Sequence, residues 1–286
     1  MQGKTVVITG GNAGIGKEAA VGLASLGARV IITARSEERG RAARKEIVDR
    51  SGSTDVEVMH LDLADFRSIR SFAGELLERV DHLDVLVDNA GLVLRRRTET
   101  EDGFEATFGI NHLGHFLLTD LLLDRLKASP AARVVVVASD AHTSANHGLD
   151  FDDLQSERNY RWTKVYGKSK LANIYFAREL AHRLEGTGVT SNSLHPGFVR
   201  SDFGQGGDLG TLYGFGLKYF AAPFAISQAK GALTTIYLAS SPEVEGATGG
   251  YYVKCKPAMP SKVAQDNDAA RQLWDVSEQL VASANA

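Results

Sequence analysis

Short runs of β-branched and aliphatic residues alternate with stretches of helical periodicity along the whole chain. Several of these runs are apolar at every position, which is typical of strands buried on both faces of a parallel sheet. Strands and helices that alternate this regularly are joined by right-handed crossovers, which build one doubly wound sheet. The sequence therefore predicts an α/β fold with about seven parallel strands and helices on both faces. The predicted strands are Thr5–Thr9, Arg29–Thr33, Val56–Leu61, Asp84–Val87, Arg133–Ala138, Thr190–Leu194 and Gly250–Val253.

The 286 residues contain no linker rich in proline or serine, no low-complexity tract and no internal repeat. A chain of this length fits one large domain, so we predict a single domain over residues 1–286. The region from Asp202 to Pro223 is irregular and mixes glycine with leucine, tyrosine and phenylalanine. We predict a flap over a ligand site at residues 202–225, with a plain surface excursion as the alternative.

Charged residues nearly balance, with 32 lysines and arginines against 35 aspartates and glutamates. The net charge of −3 gives no electrostatic reason to expect a nucleic-acid partner. The one cysteine, Cys255, excludes an intramolecular disulfide and fits a reducing compartment. His112 and His115 stand three residues apart, but no carboxylate cluster accompanies them, so no metal site is expected. The apolar runs are shorter than the roughly 20 residues of a membrane span, and we expect a cytoplasmic protein.

A glycine-rich turn follows the first predicted strand, in the segment TVVITGGNAGIGKEAAVGLASLGA. Gly10, Gly14 and Gly16 lie between the strand and an amphipathic helix. At such a junction the backbone can approach a pyrophosphate closely, and the helix N-terminus offers free N–H groups and a positive dipole. We therefore predict a nucleotide site, although a merely tight turn would carry similar glycines.

The residue after the second strand indicates which nucleotide is bound. An acidic side chain there would bind the adenosine ribose hydroxyls of NAD. This chain has Ala34 and then Arg35, and a guanidinium can pair with a 2′-phosphate through charge-assisted hydrogen bonds. The sequence favours NADP(H) over NAD(H), and the alternative is a solvated arginine at a strand end.

A tyrosine four residues before a lysine can serve as a proton donor, because on a helix the two lie on one face and the cation lowers the phenol pKa. The pattern occurs at Tyr160, Tyr166 and Tyr252. Tyr160 precedes any helical periodicity, and Tyr252 lies on a predicted strand, where residues four apart are about 13 Å from each other. Tyr166 opens a long apolar-periodic helix, so Tyr166 and Lys170 are the candidate pair.

Polar residues also stand at the ends of two central strands. Ser139 follows ARVVVVA and could orient a substrate, although a lone serine more often bonds its own loop. The segment Asn89–Gly91 follows the fourth strand and suits a cofactor wall. Asn111 lies inside a helical run, where asparagine is unfavourable, and a fully bonded core amide is the alternative to a site residue.

In their order and content, these motifs resemble the short-chain dehydrogenase/reductase family, in its single-domain branch with a Rossmann fold. They are TGGNAGIG, LDLAD, DNAG, NHLGHF, VVVVASDAH, YGKSK and HPGFVRSDF, and they span essentially the whole chain. The segments GFEATFGINHLGHFLLTDLLL, YGKSKLANIYFARELAHRL and RQLWDVSEQL resemble the retinol dehydrogenase-like group. The resemblance implies an oxidoreductase that interconverts a carbonyl and an alcohol.

The family resemblance also implies a role for each catalytic candidate. Tyr166 would be the general acid/base, and Lys170 would lower its pKa and bind the nicotinamide ribose. Ser139 would bind the substrate oxygen, and Asn111 would hold a water in the proton relay. The implied cofactor-binding residues are Gly10, Asn12, Gly14, Ile15, Gly16, Arg35, Asp62, Leu63, Asn89, Ala90, Gly91, Tyr166, Lys170, Pro196, Gly197, Val199 and Ser201.

The chain departs from the family pattern at two positions. Asp88 replaces the first asparagine of Asn-Asn-Ala-Gly, which leaves open how that strand end is hydrogen-bonded. Ala138 replaces the first serine of Ser-Ser, while Ser139 matches the catalytic position. Many eukaryotic members of the retinol dehydrogenase-like group carry an N-terminal membrane anchor that is not seen here, which weakens the case for retinol itself as the substrate.

An apolar small-molecule substrate is expected from the apolar residues of Leu209–Phe224. Two other functions stay open: an NAD-preferring alcohol dehydrogenase, and a catalytically idle NADP(H)-binding sensor or scaffold. The family resemblance further suggests a homo-dimer or homo-tetramer.

Overall fold

The computed structural model describes residues 1–199 and 226–284 of the chain. Its strands form one sheet in the order β3-β2-β1-β4-β5-β6-β7-β8, in which neighbours are parallel except for β7 and β8. The predicted α/β class and the seven parallel strands are therefore confirmed. The strands are β1 (Thr5–Ile8), β2 (Arg29–Ala34), β3 (Val56–His60), β4 (Val85–Asp88), β5 (Arg133–Val137), β6 (Thr190–His195), β7 (Tyr251–Val253) and β8 (Lys256–Ala258).

Helices cover both faces of the sheet. They are α1 (Gly14–Ser25), α2 (Glu37–Ser51), α3 (Phe66–Arg79), α4 (Ala106–Phe108), α5 (Gly114–Lys127), α6 (Trp162–Arg183), α7 (Gln228–Ser240) and α8 (Asn267–Ser283). One core lies between the sheet and α1, α2 and α7, and the other between the sheet and α3, α5, α6 and α8. Among the helices so described, none is long and apolar enough to cross a membrane.

The central strands show why their sequences lack a polar alternation. In β1, Val7 faces one core while Val6 and Ile8 face the other, and all three are fully buried. In β4, Leu86 and Val87 divide in the same way. Because both faces of the sheet are covered, successive positions inside these strands are apolar, and polar residues stand only at their ends, as Thr5 and Asp88 do.

The eighth strand was not predicted. Strands β7 and β8 form a hairpin whose turn residues, Lys254 and Cys255, have φ angles of 51° and 59°. This left-handed conformation favours glycine or asparagine, and neither residue type stands here. The Cys255 N–H donates to the Thr234 hydroxyl on α7 at 3.2 Å. This hydrogen bond to a neighbouring helix stabilises the turn.

The chain reverses its winding direction between β1 and β4, which are adjacent although two strands separate them in sequence. In doubly wound sheets, a crevice opens at this reversal, beyond the carboxyl ends of the strands. The fold thus determines where a ligand site can form. The predicted flap at residues 202–225 lies outside the described residues, and so does Ser201.

Asp88, at the carboxyl end of β4, is 1% exposed. Its Oδ2 accepts a hydrogen bond from the Thr119 hydroxyl of α5 at 3.1 Å, while its Oδ1 has no partner in the part of the chain described. Burial raises the pKa of this carboxyl from its ordinary 3.8 to about 8. The side chain is therefore largely a neutral acid at neutral pH, which explains how an aspartate is accommodated at a position where the family usually has an amide.

We expect Asp88→Asn to stabilise the protein, with a gain that grows between pH 4 and pH 8. Because the folded-state pKa of Asp88 lies above the unfolded value, its contribution to stability is present below pH 3.8 and is lost as the pH rises toward about 8. An amide has no such dependence, so the gain in the free energy of unfolding should reach about 1 kcal/mol or more at pH 8.

Denaturant unfolding of both proteins across this pH range measures this gain. Asp124→Asn, at an exposed position on α5, is the matched control. A gain for Asp88→Asn that is equal at every pH would contradict the argument.

Candidate active site

The glycine-rich turn leads from β1 into α1. Gly10 and Gly14 have φ angles of 62° and 57°, which side chains strongly disfavour. The N-cap of α1 is Ala13, whose methyl group cannot accept a hydrogen bond from the first turn. The N–H groups at this helix start are thus available to an anionic ligand, as predicted for a nucleotide site. Asn12 lies within the same turn.

Gly16 packs directly against the backbone of this turn. A Cβ atom at Gly16 would lie 2.7 Å from the Gly10 carbonyl oxygen and 2.4 Å from Asn89 Nδ2. Residue 16 must therefore be glycine for the start of α1 to lie this close to the end of β4. Ile15 and Val199 both lie close to Gly231 of α7. A Cβ atom at Gly231 would lie 3.3 Å from the isoleucine side chain and 2.6 Å from the valine side chain.

The residues after β4 are held by the Thr9 side chain. Its hydroxyl oxygen accepts hydrogen bonds from the N–H groups of Asn89 at 2.8 Å and Ala90 at 2.9 Å. Asn89 Nδ2 returns a bond to the Thr9 carbonyl at 2.8 Å. These contacts fix the segment Asn89–Gly91, which stays the predicted cofactor wall. At Gly91 the wall reaches the catalytic candidates, since a Cβ there would lie 3.3 Å from both Asn111 Oδ1 and Lys170 Nζ.

The predicted adenosine-side residues follow neighbouring strands. Arg35 is exposed directly after β2, and Asp62 follows β3, which pairs with β2 up to Ala34 and His60. Asp62 forms a local turn in which its Oδ1 accepts from the Ala64 N–H at 3.0 Å. Leu63 is buried, and its carbonyl oxygen would lie 2.7 Å from a Cβ at Gly114.

Tyr166 and Lys170 lie one turn apart on α6, with the ammonium nitrogen 5.8 Å from the centre of the phenol ring. Tyr160 precedes the helix and donates its hydroxyl to the Leu94 carbonyl at 2.8 Å, while Tyr252 lies in β7. Ser139, at the end of β5, is hydrogen-bonded to the Tyr166 hydroxyl. The structure thus brings together the serine, tyrosine and lysine selected from the sequence.

Burial dominates the electrostatics of this group. It raises the pKa of Tyr166 to about 12, against the opposing effect of the hydrogen bond with Ser139. It lowers the pKa of Lys170 to about 8, because an ammonium loses hydration in the interior. Lys170 Nζ donates to the Val137 carbonyl at 3.0 Å, and Asn173 Nδ2 donates to the same oxygen at 3.2 Å. The phenol is therefore a protonated group at neutral pH, next to a cation.

Asn111 lies in a π-helical turn, Gly109–Leu113, that joins α4 to α5. Its Oδ1 accepts from the Leu92 N–H at 2.8 Å, and its Nδ2 donates to the Leu92 carbonyl and to Ser169 Oγ, both at 3.0 Å. The Ser169 hydroxyl donates in turn to the Tyr166 carbonyl at 2.8 Å. The Asn111 amide is thus hydrogen-bonded at both ends in the core, and through Ser169 it connects the Leu92 backbone to the backbone of Tyr166.

Comparison with known proteins agrees with this geometry. The family described as short chain dehydrogenase matches residues 4–150. Retinol dehydrogenase 14 of Homo sapiens is 47% identical over 98% of this chain and 87% of its own length. The chain belongs to the short-chain dehydrogenase/reductase family. It is an oxidoreductase that resembles the retinol dehydrogenases, as its motifs indicated.

Further relatives support the family and its fold. Retinol dehydrogenase 12 of Homo sapiens is 46% identical over 98% of this chain and 87% of its own. A solved structure of an uncharacterised protein from Mycobacterium paratuberculosis is 34% identical, with a TM-score of 0.77, and covers 98% of this chain and 94% of that one. The complex of Pseudomonas aeruginosa RhlG with NADP is 26% identical, with a TM-score of 0.70, and covers 88% and 94%.

The short-chain dehydrogenase/reductase fold binds a nicotinamide cofactor, and the residues present fit one. The first turn of α1 could hold the pyrophosphate, and the wall from Asn89 to Gly91 leads from there to Lys170. Pro196 and Gly197 come directly after β6. Val199 forms a parallel β-bridge with Ile226. Within residues 1–199 and 226–284, no group of three or more histidines, cysteines and acids could hold a metal ion.

Two histidines next to the candidate residues, His115 and His142, were not predicted as site residues. His142 Nδ1 lies 2.7 Å from the Ser139 carbonyl, and its Nε2 accepts from the Ser261 N–H at 3.0 Å. His115 Nδ1 lies 3.2 Å from the Asn111 carbonyl. Each histidine thus contacts the main chain of a catalytic candidate three or four residues before it. That spacing was the signal available in the sequence.

We expect Gly16→Ala to weaken binding of NADPH at least about tenfold, since a 2.7 Å approach to a backbone oxygen forces α1 away from the turn. Fluorescence titration measures the dissociation constant. Gly74→Ala, at an open position within α3, is the control and should leave binding unchanged. NADPH affinity for Gly16→Ala within twofold of the starting protein would show that the turn does not form the binding surface.

Proposed function

We propose that this short-chain dehydrogenase/reductase interconverts a carbonyl and an alcohol on an apolar small molecule, with NADP(H) preferred over NAD(H). The observation that carries the proposal is the hydrogen-bonded pair of Ser139 and Tyr166 with Lys170 one helical turn away, next to the wall at Gly91. This is the arrangement of a proton donor, its orienting hydroxyl and a stabilising cation that carbonyl reduction requires.

In the reduction, the Ser139 and Tyr166 hydroxyls bind the substrate oxygen. NADPH, when bound, supplies the hydride that this reaction adds to the carbonyl carbon. As the carbon gains the hydride, the C=O π electrons move to the oxygen, and the Tyr166 O–H bond breaks to give that oxygen its proton. The Lys170 ammonium stabilises the phenolate left behind, and solvent protons restore the phenol. Oxidation of an alcohol runs through the same steps in reverse.

The cofactor preference is supported by Arg35. Its guanidinium is exposed at the end of β2, where a 2′-phosphate would lie if the adenosine follows the usual course across the sheet. Two structural relatives are described with bound NADP: Pseudomonas aeruginosa RhlG and, at 25% identity and a TM-score of 0.71, an NAD(P)-dependent gluconate 5-dehydrogenase from Beutenbergia cavernae.

The substrate class is supported by the names of the relatives and by composition. The curated relatives are retinol dehydrogenases, whose named substrate is a long apolar alcohol. The segment Leu209–Phe224 supplies apolar residues in the sequence. We further propose a cytoplasmic location, on the single cysteine and the short apolar runs, and a homo-dimer or homo-tetramer, on the family resemblance alone.

Tyr166→Phe should lower kcat by about 100-fold or more, because the proton donor to the substrate oxygen is lost. NADPH should still bind with a dissociation constant near that of the starting protein. Consumption of NADPH with all-trans-retinal and a panel of aliphatic and aromatic carbonyl compounds measures turnover. Tyr160→Phe, which removes a hydroxyl from another Tyr-x-x-x-Lys pattern, is the matched control. Turnover near the starting level in Tyr166→Phe would remove the tyrosine from the mechanism.

Arg35→Ala should weaken NADPH binding about tenfold or more while changing NADH binding little, since only NADPH carries the phosphate that pairs with the guanidinium. Titration with both cofactors measures the two affinities. Arg41→Ala, on the exposed side of α2 and paired with Glu37, is the control. An unchanged NADPH affinity in Arg35→Ala would favour the NAD-preferring alternative.

A further inference from the structure

His115 connects two parts of the site that lie on different elements. It belongs to the first turn of α5 and is 2% exposed. Its Nδ1 lies 3.2 Å from the main-chain carbonyl oxygen of Asn111, in the π turn. Its Nε2 lies 2.9 Å from the hydroxyl oxygen of Thr9, at the end of β1. A single imidazole ring therefore spans the distance between Asn111 and the residue that holds the segment Asn89–Gly91.

The partners determine which nitrogen carries the proton. A carbonyl oxygen only accepts, so Nδ1 must be the donor to Asn111. The Thr9 oxygen already accepts from the N–H groups of Asn89 and Ala90, so its own proton is available to Nε2. The alternative acceptor for that proton, the Val87 carbonyl, is farther away at 3.3 Å. Burial lowers the pKa of His115 to about 3, which agrees with a neutral ring.

We infer that His115 is a positioning residue with two separable ends: Nδ1 holds the Asn111 carbonyl in the π turn, and Nε2 holds Thr9 and, through it, the wall at Asn89 and Ala90. The inference rests on the proposed function, because it assigns these two surfaces to turnover and to cofactor binding. The Nδ1 end should affect kcat, since the π turn connects to Tyr166 through Ser169. The Nε2 end should affect the affinity for NADPH.

His112 offers a matched comparison within the same π turn. It is equally buried, and its Nε2 donates to Ser277 Oγ at 2.8 Å, because that hydroxyl donates onward to the Leu273 carbonyl. Its ring packs against Phe108, Phe116 and Phe176. These side-chain contacts belong to the core with α8 and include no group that faces the cofactor wall.

Two amide substitutions separate the ends of the His115 ring. In His115→Asn the amide nitrogen takes the place of Nδ1 and keeps the bond to Asn111, while the bond to Thr9 is lost. In His115→Gln the amide oxygen takes the place of Nε2 and keeps the bond to Thr9, while the bond to Asn111 is lost. We expect His115→Asn to raise the dissociation constant for NADPH about tenfold with kcat nearly unchanged. We expect the reverse for His115→Gln, with kcat about tenfold lower at saturating cofactor and affinity nearly unchanged.

Fluorescence titration with NADPH, initial rates with the best carbonyl substrate of the panel, and thermal unfolding are measured for each variant. His112→Gln should lower neither affinity nor kcat. Equal losses of affinity and kcat in both His115 variants, in proportion to a common loss of Tm, would overturn the inference, because a merely structural histidine has no separable ends.

Thr9→Val keeps the result interpretable where a histidine variant does not fold. It removes the hydroxyl and leaves His115 in place, and it should reproduce the loss of NADPH affinity of His115→Asn. An unchanged affinity in Thr9→Val would overturn the Nε2 assignment. The binding measurements need no turnover, so a failure of the proposed function, shown by an active Tyr166→Phe, remains distinct from a failure of this inference.

Discussion

The Thr9 hydroxyl is the contact on which the rest of the site depends. It stands at the end of β1, where the sheet reverses its winding, and it fixes the backbone that follows β4 through two N–H groups, Asn89 and Ala90. Two parallel strands that end side by side leave main-chain donors without ladder partners, and these must be satisfied as the crevice opens. One hydroxyl with two lone pairs and one proton does this without filling the space. The wall, the glycine turn and α5 are thereby held in register at the carboxyl ends of the central strands.

Burial then determines what each polar group at the site can do. A low-dielectric surrounding keeps the Tyr166 phenol protonated and makes the Lys170 charge costly, so both groups are poised to change state when a partner arrives. The surrounding groups are almost all satisfied: both ends of the Asn111 amide have partners, and the Val137 carbonyl accepts twice. Asp88 has one oxygen without a partner in the described structure, as His112 Nδ1 in the π turn also does, and the neutral form of Asp88 is the response to that environment.

Features that depend on local residues could be predicted from the sequence. Strands such as β1 and β4 carry an unbroken apolar pattern, the glycine turn has its residues in fixed order, and Tyr166 opens an evident helix. Features that depend on distant partners could not be predicted. The π turn at Asn111 needs the Leu92 backbone, which lies 19 residues earlier in the chain. The hairpin turn at Lys254 and Cys255 is held by Thr234, 21 residues before the cysteine. Local helix and strand propensities predict neither the π turn nor the hairpin turn, because tertiary contacts outweigh these propensities.

The dependence on distant partners also explains why histidines, rather than amides or hydroxyls, contact the main-chain carbonyls of Asn111 and Ser139. His115 reaches from the Asn111 carbonyl to Thr9, and His142 reaches from the Ser139 carbonyl to the Ser261 N–H. A neutral imidazole presents one donor and one acceptor at fixed positions of a rigid ring. The partner of one nitrogen therefore also determines the role of the other nitrogen. A flexible side chain would lose rotamer entropy to make the same two bonds. The rigid ring therefore transmits the position of one backbone segment to another, which a site built from several separate elements of the fold needs.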